Sequence, residues 1–139
     1  MYCRINLSKT NYQELDNYKI LDYSYFSELL EIYKKYCIYK DFKSVLPLHL
    51  EDLTINEVIG YYDNYNLVAF SLITLYKSSN VVESIQFAWD YKNPKLQLGI
   101  LSLKSECARY KRLGYDYLYL GEAHNYKKQI DGFEYVGKL

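Results

Sequence analysis

The chain has 139 residues, carries 17 basic and 17 acidic side chains, and is 50% hydrophobic and 18% aromatic. These values exclude disordered, collagen-like and multidomain chains, and they predict one domain over residues 1–139 that folds without disulfides or metal. The three cysteines, Cys3, Cys37 and Cys107, are odd in number and form no CxxC pair, which favours a reducing, cytoplasmic setting. The longest apolar run, 67–76, is interrupted by two hydroxyl residues, so we expect neither export nor a membrane span.

Tyrosine is unusually frequent, with 19 residues. This number suggests a surface on which bases stack, but the chain also has nine asparagines and 14 lysines against three arginines. Such a balance is typical of an AT-rich genome, and we expect a phage or a bacterium with a small genome as the source. We therefore interpret most tyrosines as half-buried packing residues whose hydroxyls reach the surface.

The first clear element is an amphipathic helix over residues 24–40. Asp22-Tyr23-Ser24 predicts its start, and apolar side chains then recur at steps of three and four with charged side chains between them. These apolar positions are Phe26, Leu29, Leu30, Tyr33, Tyr36 and Cys37. The next segment, 41–54, has no clear period and predicts a connecting loop with one helical turn.

Three segments rich in β-branched and aromatic residues follow, at 57–62, 67–76 and 81–91. Short polar segments at 63–66 and 78–80 separate them, which predicts a three-stranded antiparallel meander. Helical spacing returns over 96–113 and ends at Gly114, a residue suited to the left-handed position after a helix.

The segment 115–120 is again a predicted strand, and a strand–helix–strand unit places it parallel to strand 81–91. A helical turn at 126–130 and a short strand at 133–136 complete the chain. The predicted fold class is therefore α/β, with a mixed, mainly antiparallel sheet and one β-α-β crossover.

Positive charge is concentrated on the segment 91–113, which carries six basic residues and only Glu106 as an acid. This pattern predicts either a solvated helix face or a positively charged surface that binds the phosphates of a nucleotide or of RNA. The two histidines, His49 and His124, have no second ligand at suitable spacing, so we expect no metal site. The chain also has no nucleophile elbow, Walker loop or GxGxxG sequence.

The order of elements resembles the GCN5-related N-acetyltransferase (GNAT) fold. The last fifty residues resemble the C-terminal half of the arginyl and leucyl types of aminoacyl-tRNA–protein transferase, over roughly residues 81–136. The segments that carry the resemblance are Phe87-Ala88-Trp89-Asp90-Tyr91, Leu96-Gln97-Leu98-Gly99, Glu106-Cys107-Ala108, Gly114 to Gly121 and Asn125-Tyr126-Lys127.

The resemblance implies an acyl- or aminoacyl-transferase with no permanently bound cofactor. The co-substrate that it implies is acyl-CoA or aminoacyl-tRNA, and in the second case a tRNA is a partner. The implied acceptor is the amine of a protein N-terminus, of a lysine or of a small molecule. Asp90 or an ordered water is the expected base, and Tyr119 or Tyr126 is the expected proton donor. Residues expected to bind the donor are Phe87, Ala88, Trp89, Lys92, Lys95, Leu98, Gly99, Arg109, Arg112 and Lys127.

Each of these residues also has a structural interpretation. Asp90 is equally a strand-end turn residue that bonds nearby amides. Gly99, in the first turn of its helix, allows close approach of a donor or close packing against strand 81–91. Lys127 binds a phosphate or is simply solvated, and the tyrosines are packing residues.

Two other functions remain open. In the first, the chain is a binding module that keeps the fold without turnover and uses its basic face for nucleic acid. The zero net charge argues against strong non-specific binding. Alternatively, it is a structural or virion-associated protein with a tyrosine-rich interface.

Overall fold

The computed structural model describes residues 1–41, 47–92 and 94–137. The strands are β1 (Tyr2–Asn6), β2 (Tyr18–Leu21), β3 (Glu57–Asp63), β4 (Asn66–Tyr76), β5 (Val81–Trp89), β6 (Tyr117–Glu122) and β7 (Phe133–Gly137). The α-helices are α1 (Phe26–Lys40), α2 (Leu50–Ile55) and α3 (Leu98–Arg112).

The strands form a seven-stranded sheet in the order β2-β3-β4-β5-β6-β1-β7. Strand β6 runs parallel to β5, whereas β1 with β6 and β7, and β3 with β2 and β4, are antiparallel. The predicted α/β class and the parallel crossover are therefore confirmed.

The predicted helices and strands lie close to their expected positions. The helix predicted over 24–40 begins at Phe26, after a 3₁₀ turn at Tyr23–Tyr25 in which the Asp22 carboxylate accepts the Ser24 amide. Strand β5 ends at Trp89, two residues before the expected end, and Gly114 adopts the left-handed conformation with φ 93°. Residues 42–46 of the predicted loop lie outside the described residues, and its helical turn is α2.

The sequence analysis missed strands β1 and β2. Strand β1 alternates buried Cys3 and Ile5 with less buried neighbours, so it carries the period of two, but over only five residues. Strand β2 pairs with β3 over four residues and buries only Leu21. Segments this short contain too few repeats for their period to be recognised.

The contacts divide the chain into two compact units. The first contains Met1–Asp16, Thr74–Ile85 and Gly99–Leu139, and the second contains Asn17–Ile73 and Gln86–Leu98. The core of the second unit joins apolar side chains of α1, α2 and four strands. It contains Leu21, Leu29, Ile32, Tyr33, Leu48, Leu53, Val58, Phe70, Leu72 and Ala88.

In the first unit, the segment Thr10–Asp16 lies along helix α3. The amide of Leu15 donates to the Ser105 hydroxyl at 2.9 Å, and the Lys111 ammonium donates to the Thr10 carbonyl. The Arg112 guanidinium donates to both carboxylate oxygens of Glu14, at 2.6 and 3.0 Å. Part of the positive charge of α3 is therefore balanced within the unit.

Strand β6 contains a bulge opposite β1, also in the first unit. Cys3 pairs with Gly121 but the next residue, Arg4, pairs with Tyr119, so Leu120 has no partner residue in this register. Gly121 takes a positive φ of 72°, which a glycine adopts without steric cost. A bulge leaves backbone groups outside the regular ladder, and these groups need another partner.

Lys127 supplies that partner. Its side chain is buried, with the residue 8% exposed, and its ammonium donates to the carbonyls of Leu120 at 2.9 Å and Glu122 at 2.7 Å. Burial lowers the pKa of this ammonium below its usual 10.5. Lys127 therefore stabilises the bulge.

We predict that Lys127→Met lowers the free energy of unfolding by about 2–4 kcal/mol, because two carbonyls lose a charged donor inside the protein. Lys128→Met is the matched control, since Lys128 is exposed and adjacent. Urea denaturation of both variants measures the difference. Equal stability of the two variants would contradict the assignment.

The same ammonium makes this difference depend on pH. Its pKa is lower in the folded than in the unfolded state, so the unfolded state binds more protons between those two values. The stability of the wild type relative to Lys127→Met should therefore rise as pH rises through this window toward 10.5. A relative stability that falls with pH would contradict the lowered pKa.

Candidate active site

Asp90 directly follows strand β5 in the second unit. Its amide donates to the Val68 carbonyl at 3.0 Å, and its Oδ1 accepts the Lys92 amide at 3.0 Å. Its Oδ2 lies 3.8 Å from the Lys92 ammonium, and the carboxylate is 5% exposed. The strand-end turn is therefore confirmed. The role of Asp90 as a base stays a prediction, for which Oδ2 is the available oxygen because Oδ1 holds the turn.

Strand β5 changes environment along its length. Its registered pairing with β6 covers only Val81–Glu83, and the residues from Glu83 to Phe87 are exposed or half-buried. The last two side chains, Ala88 and Trp89, are buried. Past Glu83 the strand has no registered partner in β6, so on that side its backbone N–H and C=O groups are left to solvent, to a side chain or to a ligand.

Three residues predicted to bind the acyl donor, Phe87, Ala88 and Trp89, differ in which of their groups a ligand could reach. The Phe87 carbonyl accepts the Gln86 side-chain amide at 3.0 Å, whereas the side chains of Ala88 and Trp89 face the interior. Any contact of Ala88 with a donor therefore involves its backbone.

Helix α3 begins at Leu98, which is buried, and Gly99 lies in its first turn as predicted. A methyl group built on Gly99 meets no heavy atom within 4 Å. The interpretation that Gly99 allows close packing against β5 is therefore wrong. Open space beside the first turn, where helix N–H groups have no partner within the helix, is what close approach of a donor requires.

The predicted basic residues do not form one group. Lys92 and Lys95 are exposed and precede α3. Arg109 and Arg112 lie about 15 and 20 Å along the helix axis from Gly99, at a rise of about 1.5 Å per residue. Because Arg112 is also bound to Glu14, the structure does not bring it to the end of the helix that holds Gly99.

Tyr119, Tyr126 and Lys127 all belong to the first unit. The Tyr119 hydroxyl accepts a hydrogen bond from the Arg4 guanidinium at 3.1 Å, and Tyr126 is exposed. The Lys127 ammonium is occupied by the bulge carbonyls, so the interpretation of a solvated lysine is wrong. The roles of the tyrosines as proton donors and of Lys127 in donor binding stay predictions.

The sequence analysis missed Arg4, which organises one face of the first unit. Its guanidinium donates to Glu134 at 2.9 Å and lies 3.8 Å from the centre of the Tyr117 ring. The hydrogen bonds to Tyr119 and then Glu134 raise the pKa of the guanidinium, and the hydrogen bond from Arg4 lowers the pKa of the Glu134 carboxyl. Arg4 and Glu134 are 130 positions apart, so no local sequence pattern predicts that they pair.

The second missed feature is a set of aromatic rings at the end of β5, which we call the ring cluster: Tyr36, Tyr39, Trp89 and Tyr91. Tyr91 stacks on Tyr39 with ring centres 3.8 Å apart and lies 4.2 Å from Trp89. The spacing of three between Tyr36 and Tyr39 in the predicted helix is the signal that would have placed them on one face.

No three potential metal-ligating side chains come together among residues 1–41, 47–92 and 94–137. In the same ranges, no helix has both the length and the apolar character needed to cross a bilayer.

The family described as the C terminus of arginine-tRNA–protein transferase matches residues 24–135, which is well over half of the chain. The match includes the segments that carried the resemblance and extends to the start of helix α1. No curated protein sequence matches.

Solved structures of two proteins share the fold. The C-terminal domain of a putative lysylphosphatidylglycerol synthetase from Agrobacterium fabrum superposes with a TM-score of 0.70 at 12% identity, covering 88% of this chain and 46% of that one. A putative GNAT-family acetyltransferase from Novosphingobium aromaticivorans gives 0.69 at 12% identity, covering 96% and 58%. This chain thus spans about half the length of these proteins.

A third structure comes from an uncultured soil metagenomic sample. It is an aminoglycoside acetyltransferase with a TM-score of 0.57 and 12% identity, covering 80% of this chain and 79% of that one. The fold is therefore that of the GNAT superfamily, and the chain belongs to the family of arginine-tRNA–protein transferase C termini.

Proposed function

We propose that the protein transfers an acyl or aminoacyl group from a phosphate-bearing donor to an amine. The observation that carries this proposal is the part of β5 beyond Glu83, which has no registered partner in β6. Open space at Gly99, in the first turn of α3, supports it independently. Family membership gives the proposal its reaction class.

The reaction is one acyl substitution. The acceptor nitrogen attacks the acyl carbonyl carbon, a C–N bond forms, and the C–O bond of an aminoacyl ester or the C–S bond of a thioester breaks. The nitrogen loses one proton, and the leaving oxygen or sulfur gains one. Most of the rate enhancement comes from holding the two reactants together and from stabilising the developing oxyanion with backbone N–H groups of β5.

We assign the proton acceptor to Asp90. Its carboxylate is held in place through Oδ1, so Oδ2 keeps a fixed direction relative to the end of β5. Lys92 and Lys95, which are exposed, are the cations proposed to meet donor phosphates. Tyr119 or Tyr126 remains the proposed proton donor to the leaving group.

The donor is proposed to be an aminoacyl-tRNA or an acyl-CoA. Membership of the arginine-tRNA–protein transferase family favours the first, and the acetyltransferase fold accommodates the second. The acceptor is proposed to be an amine of a protein N-terminus, a lysine or a small molecule.

Donor binding is the first test of the proposed function. Thermal denaturation is measured with coenzyme A, acetyl-CoA and arginyl-tRNA, followed by a transfer assay with the donor that binds. A true donor at 100 times its Kd stabilises the folded protein by about 2.7 kcal/mol, a shift of several degrees. No shift with any of them would leave the interface protein as the better interpretation.

Asp90→Asn should lower single-turnover transfer by ~10²–10⁴-fold, the usual contribution of a general base. The amide oxygen of asparagine still accepts the Lys92 amide, so the turn and the melting temperature should remain. Rates and melting curves of the same preparation measure both quantities.

Asp90→Ala is the matched comparison, because it removes the turn hydrogen bond as well. We expect it to lose about 0.5–1.5 kcal/mol of stability in addition to activity. Normal turnover in Asp90→Asn would remove Asp90 from the chemistry and leave it as a turn residue.

Gly99→Ala should have opposite effects on stability and on donor binding. Alanine in a helix is favoured over glycine by about 1 kcal/mol, and its methyl group meets no protein atom here, so the melting temperature should rise. The same methyl group should weaken donor binding at least tenfold. The exposed Leu101→Ala in the same helix is the control, and unchanged donor affinity in Gly99→Ala would show that no ligand approaches this turn.

A further inference from the structure

The ring cluster of the second unit is a layered set of aromatic rings. The Tyr91 ring is nearly parallel to the rings of two tyrosines of helix α1. It makes an angle of 14° with Tyr39 and 9° with Tyr36, and the ring centres are 3.8 and 5.9 Å away. Trp89 contacts the same ring at 4.2 Å with a tilt of 44°. Three nearly parallel rings thus project from two elements that are distant in sequence.

The turn at Asp90 sets the position of Tyr91. Tyr91 has a positive φ of 58°, a conformation that a bulky side chain disfavours. The Asp90 carboxylate spans this residue by accepting the Lys92 amide. Strained backbone of this kind is retained where the surrounding structure fixes it, and it often marks a functional site.

The cluster has a buried side and an open side. Trp89 is 6% exposed, Tyr36 and Tyr91 are half-buried, and Tyr39 is 63% exposed. Tyr39 is therefore a large aromatic ring held in place by stacking on Tyr91 yet accessible to solvent. An aromatic ring that is fixed in orientation and exposed is suited to stacking by a planar ligand.

One lysine lies over two rings of the cluster. The Lys40 ammonium lies 5.6 Å from the centre of the Tyr91 ring and 5.9 Å from that of Tyr36. Lys92, whose side chain is exposed, follows Tyr91 directly, although its ammonium is 3.8 Å from the Asp90 carboxylate. The acidic residue nearest to Lys40 in the sequence is Asp41, which directly follows it and is exposed. A planar ring that carries phosphate complements this arrangement.

We propose that the ring cluster binds the adenosine of the donor, with the adenine stacked on Tyr39 and a phosphate attracted by Lys40. The inference rests on the proposed function, because both candidate donors contain this group. Coenzyme A carries a phosphorylated adenosine, and an aminoacyl-tRNA carries its aminoacyl group on a terminal adenosine. The aminoacyl ester is carried on the ribose of this adenosine, so a platform beside Asp90 places that ester close to the proposed base. The thioester of an acyl-CoA lies at the far end of the pantetheine arm, so for that donor the platform would hold only the distant adenosine.

Trp89 is the chain's only tryptophan and contacts Tyr91, so its fluorescence reports on the cluster. We titrate the protein with AMP, with adenosine 3′,5′-bisphosphate as the coenzyme A fragment, and with a short RNA ending in CCA as the tRNA fragment. Saturable change of Trp89 fluorescence is expected with adenosine ligands, and a weaker effect with UMP. Comparison of adenosine 3′,5′-bisphosphate with the RNA ending in CCA distinguishes the two donors.

Tyr39→Ala should weaken adenosine binding by about 5- to 100-fold, which corresponds to the loss of one stacked base. Tyr39→Phe keeps the ring and should bind as the wild type does. Tyr23→Ala removes a similarly exposed tyrosine, 61% accessible, outside the cluster and should have no effect. Unchanged affinity in Tyr39→Ala, or no fluorescence change with any adenosine probe, overturns the proposal.

The transfer assay separates this proposal from the proposed function. Adenosine binding that depends on Tyr39, in a protein without acyl transfer, supports the platform and rejects the enzyme. Acyl transfer that is unchanged in Tyr39→Ala at limiting donor supports the enzyme and rejects the platform.

Discussion

A strand in the interior of a sheet must find a partner for each backbone N–H and C=O group, and strand β5 meets this requirement on its β6 side by registered pairs only up to Glu83. Beyond Glu83 the strand has no registered partner in β6, and its backbone groups on that side need solvent, a side chain or a ligand. The same requirement explains the β6 bulge, where a lysine is buried to serve two carbonyls. The bulge is therefore closed by a side chain, whereas the end of β5 has no such partner in β6, and this contrast supports the proposal that the donor binds at β5.

The sequence predicted the elements with clear periodicity. Helix α1, strands β3 to β5, helix α3 and strand β6 repeat apolar residues often enough for their periods to be read. It also placed Asp90 at a strand end and Gly99 in a first helical turn. Strands β1 and β2 were not predicted, because segments of five and four residues contain too few repeats of the two-residue period of a strand.

The rest of the site depends on contacts between distant parts of the chain. Arg112 meets a glutamate 98 residues away. The Lys127 ammonium reaches the carbonyl of Leu120, a residue that has no partner because strand β6 bulges. The basic segment 91–113 looked like one surface because charges were counted along the sequence. In the folded chain it is divided between exposed lysines before α3 and residues engaged at the other end of that helix.

The position of strand β1 between β6 and β7 has a consequence for how the protein folds. Cys3 and Arg4 bond to residues 119 and 130 positions later, so the ribosome completes β1 more than a hundred residues before either neighbouring strand exists. During synthesis this strand exposes two unpaired edges, and closing it into the sheet requires the longest loops in the chain. Pairing of such high contact order slows folding, and it lengthens the time during which the unpaired strand is exposed to aggregation.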